Sequence, residues 1–154
     1  MIQSSGKIVF EPTIIGKKQA KQSEWKRTAI IQLDDELDAY YRWFLIKRFS
    51  LKLNQPIRGP HITFIADRMP SEPFNEGAKL FDGKEIRFNY DPNIRSNGKW
   101  WWLKIDCPDA KSIREAIGLS PDPYFNFHLT IGQANEKHLD FSKYILDNCI
   151  RFGL

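Results

Sequence analysis

Apolar positions recur with a period of two in several short runs and with a helical period in two longer ones, and the switches between the periods lay out the chain. A strand-like run from Lys7 to Phe10 stops at Pro12, and Gly16 to Lys26 is polar and basic, a surface loop carrying Lys17, Lys18, Lys21 and Lys26. Thr28 to Leu33 is rich in β-branched residues and predicts a strand. Asp34 or Asp35 then caps a helix over Glu36 to Phe49, with Leu37, Tyr41, Phe44 and Leu45 as its buried stripe. The rings of Tyr40, Tyr41, Trp43 and Phe44 cover much of that helix, and core packing is their expected use. Turns at Asn54-Gln55-Pro56 and Gly59-Pro60 lead into a strand from His61 to about Ala66.

Pro70 to Phe81 is a connector with some helical character. Glu85 to Tyr90 alternates as a strand, Asp91 to Gly98 is a turn-rich loop, and Lys99 to Asp106 is a strand. Pro108-Asp109 opens a short helix, Ala110 to Ile117, which Gly118 ends. Ser120 to Pro123 turns the chain into a strand over Phe125 to Gln133, and the last segment, His138 to Cys149, is helical from Phe141.

Two stretches of this layout match. Each runs strand, helix, Pro-bearing turn, and then a strand carrying His-x-Thr: His61-Ile62-Thr63-Phe64 in one and His128-Leu129-Thr130-Ile131 in the other. The distance from the leading strand to the histidine is 28 residues in the first (Leu33 to His61) and 22 in the second (Asp106 to His128). The expected fold is therefore α+β: one domain, 1–154, with pseudo-two-fold strand–helix–strand lobes at about 28–66 and 99–133. Antiparallel sheets would line a central groove, with the helices on the far side.

With 154 residues and 42% hydrophobic composition, the chain can bury a core of its own. A formal charge of +4 and a pI near 9.1 mildly favour phosphate-bearing partners. Cys107 and Cys149 are too few for a disulfide scaffold and lack zinc-ligand spacing, so both are expected as reduced thiols. No apolar stretch approaches the ~20 residues of a bilayer span, and Met1 to Gly6 has no signal-peptide pattern. The expectation is a cytoplasmic protein with no membrane partner and no obligate protein partner.

The chemistry centres on His61, Thr63, His128 and Thr130. The chain has three histidines and four threonines, and two of the three histidines stand two residues ahead of a threonine. On a strand, residues i and i+2 share a face, so each motif presents an imidazole beside a hydroxyl. Parity adds Gly59 and Ile65 to the His61 face, and Asn126 and Gly132 to the His128 face; Gly59 and Gly132 are expected to leave room for a ligand. Two imidazoles across one groove are a general base and a general acid, since imidazole serves in either role near neutral pH. The threonine hydroxyls can donate to phosphate oxygens whose charge grows in the transition state. No Asp or Glu lies on the groove-facing positions of the motif strands, Asp67 falling just past the first, so neither a metal nor a cofactor is expected. Trp101, Leu103 and Ile105 form a buried face, which leaves Trp100, Trp102 and Lys104 for the groove as a stacking platform with a cation beside it. Asn126 joins them as a candidate substrate contact, and His138 is expected to be a surface residue.

With both His-x-Thr strings on a duplicated unit spanning about Thr28 to Gln133, the chain resembles the two-histidine (2H) phosphoesterase superfamily. Within it the likeness is to the phage anti-CBASS cyclic-oligonucleotide phosphodiesterases. That likeness rests on Tyr40-Tyr41-Arg42-Trp43-Phe44-Leu45, Phe88-Asn89-Tyr90, Trp102-Leu103, Ile113-Arg114 with Gly118-Leu119, and Phe127-His128-Leu129-Thr130-Ile131-Gly132. The resemblance implies metal-independent hydrolysis of 3′–5′ bonds in cyclic di- and trinucleotides, carried out in the cytosol of an infected bacterium to blind its antiviral signalling. It carries over only His61, Thr63, His128 and Thr130, and leaves open which histidine is base and which acid. Two other readings stand beside it: an RNA-end phosphodiesterase acting on 2′,3′-cyclic or 2′–5′ linkages, and a non-catalytic nucleotide sponge or RNA-binding module.

Overall fold

The computed structural model describes residues 1–12, 27–56, 58–67 and 77–134. The basic stretch Gly16 to Lys26, most of the Pro70 to Phe81 connector, and the segment with His138 and Cys149 lie outside the described residues. The alternating runs form strands, except that Phe125 to Phe127 precede the last strand as a turn, and the two helical patterns form helices. The order is β1 (Ile2–Phe10), β2 (Ala29–Leu33), α1 (Leu37–Phe49), β3 (His61–Ile65), β4 (Glu85–Tyr90), β5 (Arg95–Ser96), β6 (Trp100–Asp106), α2 (Pro108–Ala116) and β7 (His128–Gln133). No helix among the described residues is long and apolar enough to cross a membrane.

All strand pairings are antiparallel, in the order β4-β1-β2-β3-β7-β6-β5. A further pairing of β4 with β6, through Asn89↔Asp106 and Tyr90↔Ile105, closes the sheet into a six-stranded barrel. The fold is thus α+β with few helices. In place of separate sheets facing each other across a groove there is one sheet, because β3 pairs with β7, and β4 closes it by reaching β6.

The core takes one face of each strand: Ile8, Ile31, Ile62, Phe64, Phe88, Trp101, Leu103, Leu129 and Ile131 are buried together. Each such side chain contributes ~1.5–3 kcal/mol by leaving water. Tyr41 and Leu45 of α1 and Ala110 of α2 join the same cluster, with Leu37 and Phe44 partly buried against it. Core packing does not hold for Tyr40 and Trp43, which are 49% and 53% exposed. Spaced i, i+3, they lie beside each other on the outer face of α1, their rings 6.1 Å apart. Asp35 caps α1 from outside the cap position: its carboxylate accepts from the Leu37 N–H at 3.3 Å, while Glu36 is the N-cap and makes no side-chain bond. Cys107 is buried, its thiol pushed up to about 11 by burial, with the S–H on the Arg87 carbonyl at 3.3 Å.

Both histidine strands carry a β-bulge, and in both it lies three residues past the histidine. Between β2 and β3 the register passes from Ile30↔Thr63 to Ala29↔Ile65, so Phe64 is the extra residue. Between β6 and β7 it passes from Trp102↔Thr130 to Trp101↔Gly132, so Ile131 is the extra residue. A bulge rotates the chain beyond it, which overturns the parity reading there: Ile65 is buried in the core instead of sharing the His61 face. Gly132 admits chain, not ligand. A Cβ on it would lie 2.7 Å from both the Asn54 carbonyl oxygen and the Leu53 Cβ, where Asn54 and Gln133 exchange backbone hydrogen bonds of 2.8 and 3.0 Å. Gly132→Ala is expected to cost about 1–3 kcal/mol through that overpacking, seen as a lower urea midpoint at unchanged slope; an unaltered midpoint would contradict the contact.

Candidate active site

Strands β3 and β7 are neighbours, registered at Ile62↔Leu129. Carrying that register one residue to either side sets His61 opposite Thr130 and Thr63 opposite His128. On the outer flanks His61 pairs with Gln32 of β2 and Thr63 with Ile30, while His128 pairs with Lys104 of β6 and Thr130 with Trp102. Two rows therefore cross four strands on the face turned away from the core cluster, the outer face: Gln32, His61, Thr130, Trp102, and beside it Ile30 (itself fully buried), Thr63, His128, Lys104. The motif residues between them, Ile62 and Leu129, are fully buried on the other side. Each motif thus turns its imidazole and hydroxyl out and its aliphatic residue in.

The two imidazoles have the same setting. His61 Nδ1 lies 3.0 Å from the Gly59 carbonyl oxygen, and His128 Nδ1 lies 2.9 Å from the Asn126 carbonyl oxygen. In each case the acceptor belongs to the residue two before the histidine, and that residue has positive φ: +78° at Gly59 and +48° at Asn126. The intervening residue ties the turn to the flanking strand, Pro60 accepting from the Leu33 N–H at 3.1 Å and Phe127 from the Ile105 N–H at 3.1 Å. A carbonyl can only accept, so Nδ1 carries the proton in both rings and Nε2 is left to exchange protons with a ligand. Gly and Asn are the residue types that enter the left-handed region most readily, so Gly59-x-His61 and Asn126-x-His128 were visible as a repeated signal. Asn126 contributes through its backbone as well as its place in the groove.

Burial, first of all, lowers the His61 pKa from its ordinary value, and the charges of Arg58 and His128 push the same way; the Gly59 hydrogen bond and Asp38 oppose them. That His61 feels the charge of His128 reflects their places on neighbouring strands.

A groove of about 1050 Å³ opens over β6 and β7. Its lining includes Trp100, Trp102, Lys104, Asn126, His128 and Thr130, so all four proposed binding residues meet half of the histidine–threonine set there. His61 and Thr63 are not among its lining residues; they continue the same face one strand over. Trp100 is 41% exposed and Trp102 half-buried, while Trp101 between them is buried, as the alternation requires. The sequence reading missed Arg95 and Lys111, which also line the groove. Arg95 sits on the two-residue β5 inside a stretch that reads as loop, and Lys111 on a helix whose pattern does not reveal which surface it faces. Both have carboxylate neighbours, Asp91 at 3.7 Å and Asp122 at 2.9 Å. Among the described residues no group of three or more His, Cys, Asp or Glu could hold a metal ion.

Comparison with known proteins returned no match: neither a protein-family model, nor a curated protein, nor a solved structure is significantly similar to the chain.

Proposed function

We propose that the protein is a metal-independent phosphodiesterase of the two-histidine type that breaks the 3′–5′ bonds of cyclic di- and trinucleotide immune signals, a viral counter to CBASS defence. The observation that carries this reading is the matched setting of His61 and His128, each with Nδ1 on the carbonyl two residues back and each beside a threonine on the same outer face. In it, β2–α1–β3 and β6–α2–β7 are the two pseudo-symmetric lobes, meeting at the β3–β7 seam.

His61 is the better base, because burial favours its neutral form. Its Nε2 would take the proton from a ribose 2′-OH as that oxygen attacks the adjacent phosphorus. His128, entering as the imidazolium, would give its Nε2 proton to the departing 5′-oxygen as the P–O5′ bond breaks. The product is a 2′,3′-cyclic phosphate, which water could open with the two roles exchanged. Thr63 and Thr130 would donate to the non-bridging oxygens, where charge accumulates. Trp100 and Trp102 offer stacking faces worth ~1–3 kcal/mol per base. Of the groove's cations Arg95, Lys104 and Lys111, the first and the last already have carboxylate partners. A long backbone asks for an unbroken cationic track, so a compact nucleotide is the better fit than an RNA strand.

The test is incubation in EDTA with a panel of 3′3′-linked cyclic di- and trinucleotides, 2′–5′ dinucleotides and 2′,3′-cyclic RNA ends, read by mass spectrometry. Linear products from the cyclic compounds support the proposal, and turnover confined to the RNA compounds moves it to RNA ends. Ligand depleted from solution but recovered intact would make the protein a sponge.

The lowered pKa of His61 also sets a pH dependence. Above that pKa the ring is neutral and competent as a base; as pH falls through it the base is lost. The acid limb of kcat/KM is therefore expected below ~6.5, and Arg58→Gln, by removing a nearby positive charge, should move that limb to higher pH. An acid limb above neutrality in the unaltered protein would exclude His61 as the base.

A further inference from the structure

The extra residue of a β-bulge leaves the ladder, so its carbonyl needs another partner. In both histidine strands that partner is an arginine, and in both it comes from the other strand–helix–strand unit. Arg42 lies on α1, the helix that precedes the His61 strand, yet its Nη1 donates to the carbonyl of Ile131, on the His128 strand, at 2.8 Å. Arg114 lies on α2, the helix that precedes the His128 strand, yet its Nη1 donates to the carbonyl of Phe64, on the His61 strand, at 2.8 Å. A carboxylate holds each guanidinium in place: Asp38 for Arg42, and Asp67 for Arg114 through two bonds of 2.7 and 3.0 Å.

We infer that Arg42 and Arg114 are crossed positioning residues: each fixes the bulge that follows the other unit's His-x-Thr and so sets the direction of that histidine and threonine. The bulged carbonyl follows the threonine by one residue. Freeing it lets the strand slide back towards regular pairing, which rotates the hydroxyl and loosens the turn that holds Nδ1. The crossing means that neither motif strand can shift without moving the helix of the opposite unit, so the two imidazoles keep a common frame. The consequence for turnover rests on the acid–base reading above; the structural coupling does not.

The decisive pair of variants is Asp38→Asn and the double variant Asp38→Asn with Arg42→Met. Asp38 is only 3% exposed, so Arg42→Met alone would strand a buried carboxylate and risk unfolding, whereas the double variant leaves no such charge. Long-range proton–nitrogen spectra of the histidine rings, assigned with His→Ala variants, are compared between the two proteins. The change from Asp38→Asn to the double variant is expected to move the His128 ring signals severalfold more than those of His61, although Arg42 sits on the helix leading to His61. It should also lower kcat on a cleavable cyclic dinucleotide by about tenfold to a hundredfold, the scale of an ångström-level misplacement. KM should hardly change, and Arg42→Lys instead of Arg42→Met in the Asp38→Asn background should recover part of the loss. Equal shifts of both rings, a larger shift at His61, or no shift would overturn the crossed assignment, as would failure of the double variant to fold where Asp38→Asn folds. If the unaltered protein turns over no nucleotide while the His128-selective shift is present, the functional reading fails and the crossed positioning stands. Turnover without the selective shift is the reverse case.

Discussion

His61→Ala and His128→Ala are each expected to lower turnover of a cleavable cyclic dinucleotide by about 10²–10⁴-fold, the usual worth of a positioned proton-transfer group. The loss should fall on kcat, because the rings exchange protons in the transition state and offer little to hold the ground state. The double variant should be about as slow as the slower single one, since base and acid act in one step and neither alone completes it. Both rings are half-buried on the outer face, so the variants should keep the far-UV spectrum and the cooperative unfolding of the parent. Single-turnover assays beside circular dichroism check both. A folded single variant retaining more than about a tenth of the rate would remove that histidine from the chemistry.

Arg114→Met should be the most destabilising single change at the strand–helix junction, costing about 3–5 kcal/mol, because two backbone carbonyls and a partly buried carboxylate lose this donor at about 1–3 kcal/mol each. The guanidinium is fully buried, its side chain 0% exposed. It gathers the Asp67 carboxylate, the Phe64 carbonyl and, through Nε at 2.7 Å, the Ser120 carbonyl. Methionine fills similar space but leaves all three acceptors without their donor. Domains of this kind are stable by only ~5–15 kcal/mol, so a large downward shift of the urea midpoint should be plain. The pair has a pH signature of its own. The Arg114 hydrogen bond holds the Asp67 carboxyl below the usual carboxylate range, so its contribution is complete above ~4 and is lost as pH falls through the lowered value. Arg114→Met should remove that acid-sensitive part of the stability curve. A variant with parental midpoint and parental acid sensitivity would contradict the role assigned to this arginine.

The parts of the site legible in the sequence are those that depend on neighbours two residues apart. His61 with Thr63, His128 with Thr130, and Trp100 with Trp102 around a buried Trp101 are all consequences of strand alternation, and the structure has them so. The same rule failed at Ile65 and Gly132, because each lies past a bulge and an extra residue reverses parity. The start of β1 was missed for a different reason. Gln3, Ser4, Ser5 and Gly6 carry no alternation, and β4 holds them extended by backbone pairing from Ile2↔Tyr90 to Lys7↔Glu85. Closure of the barrel by β4 and β6 and the crossed arginine contacts share a third reason: Arg42 and Ile131 stand 89 residues apart, Arg114 and Phe64 50 apart. No local pattern carries such a pairing. On α1, four rings on one turn and a half look like core. The helix has only one face against the barrel, so Tyr40 and Trp43 were left outside.

The pairing of β1 with β4 also has a consequence for biosynthesis. Lys7 meets Glu85, so β1 gains this neighbour only after about 80 more residues have been made. At ~5–20 residues per second, the β4-facing edge of β1 stands open for roughly 4–16 s. An open strand edge is a template for pairing with other nascent chains. The stretch Gln3-Ser4-Ser5-Gly6-Lys7 that waits there is polar, flexible at Gly6 and charged at its end, which makes it a poor template. The residues that gave β1 no readable pattern are those that keep it unpaired until its own partner arrives.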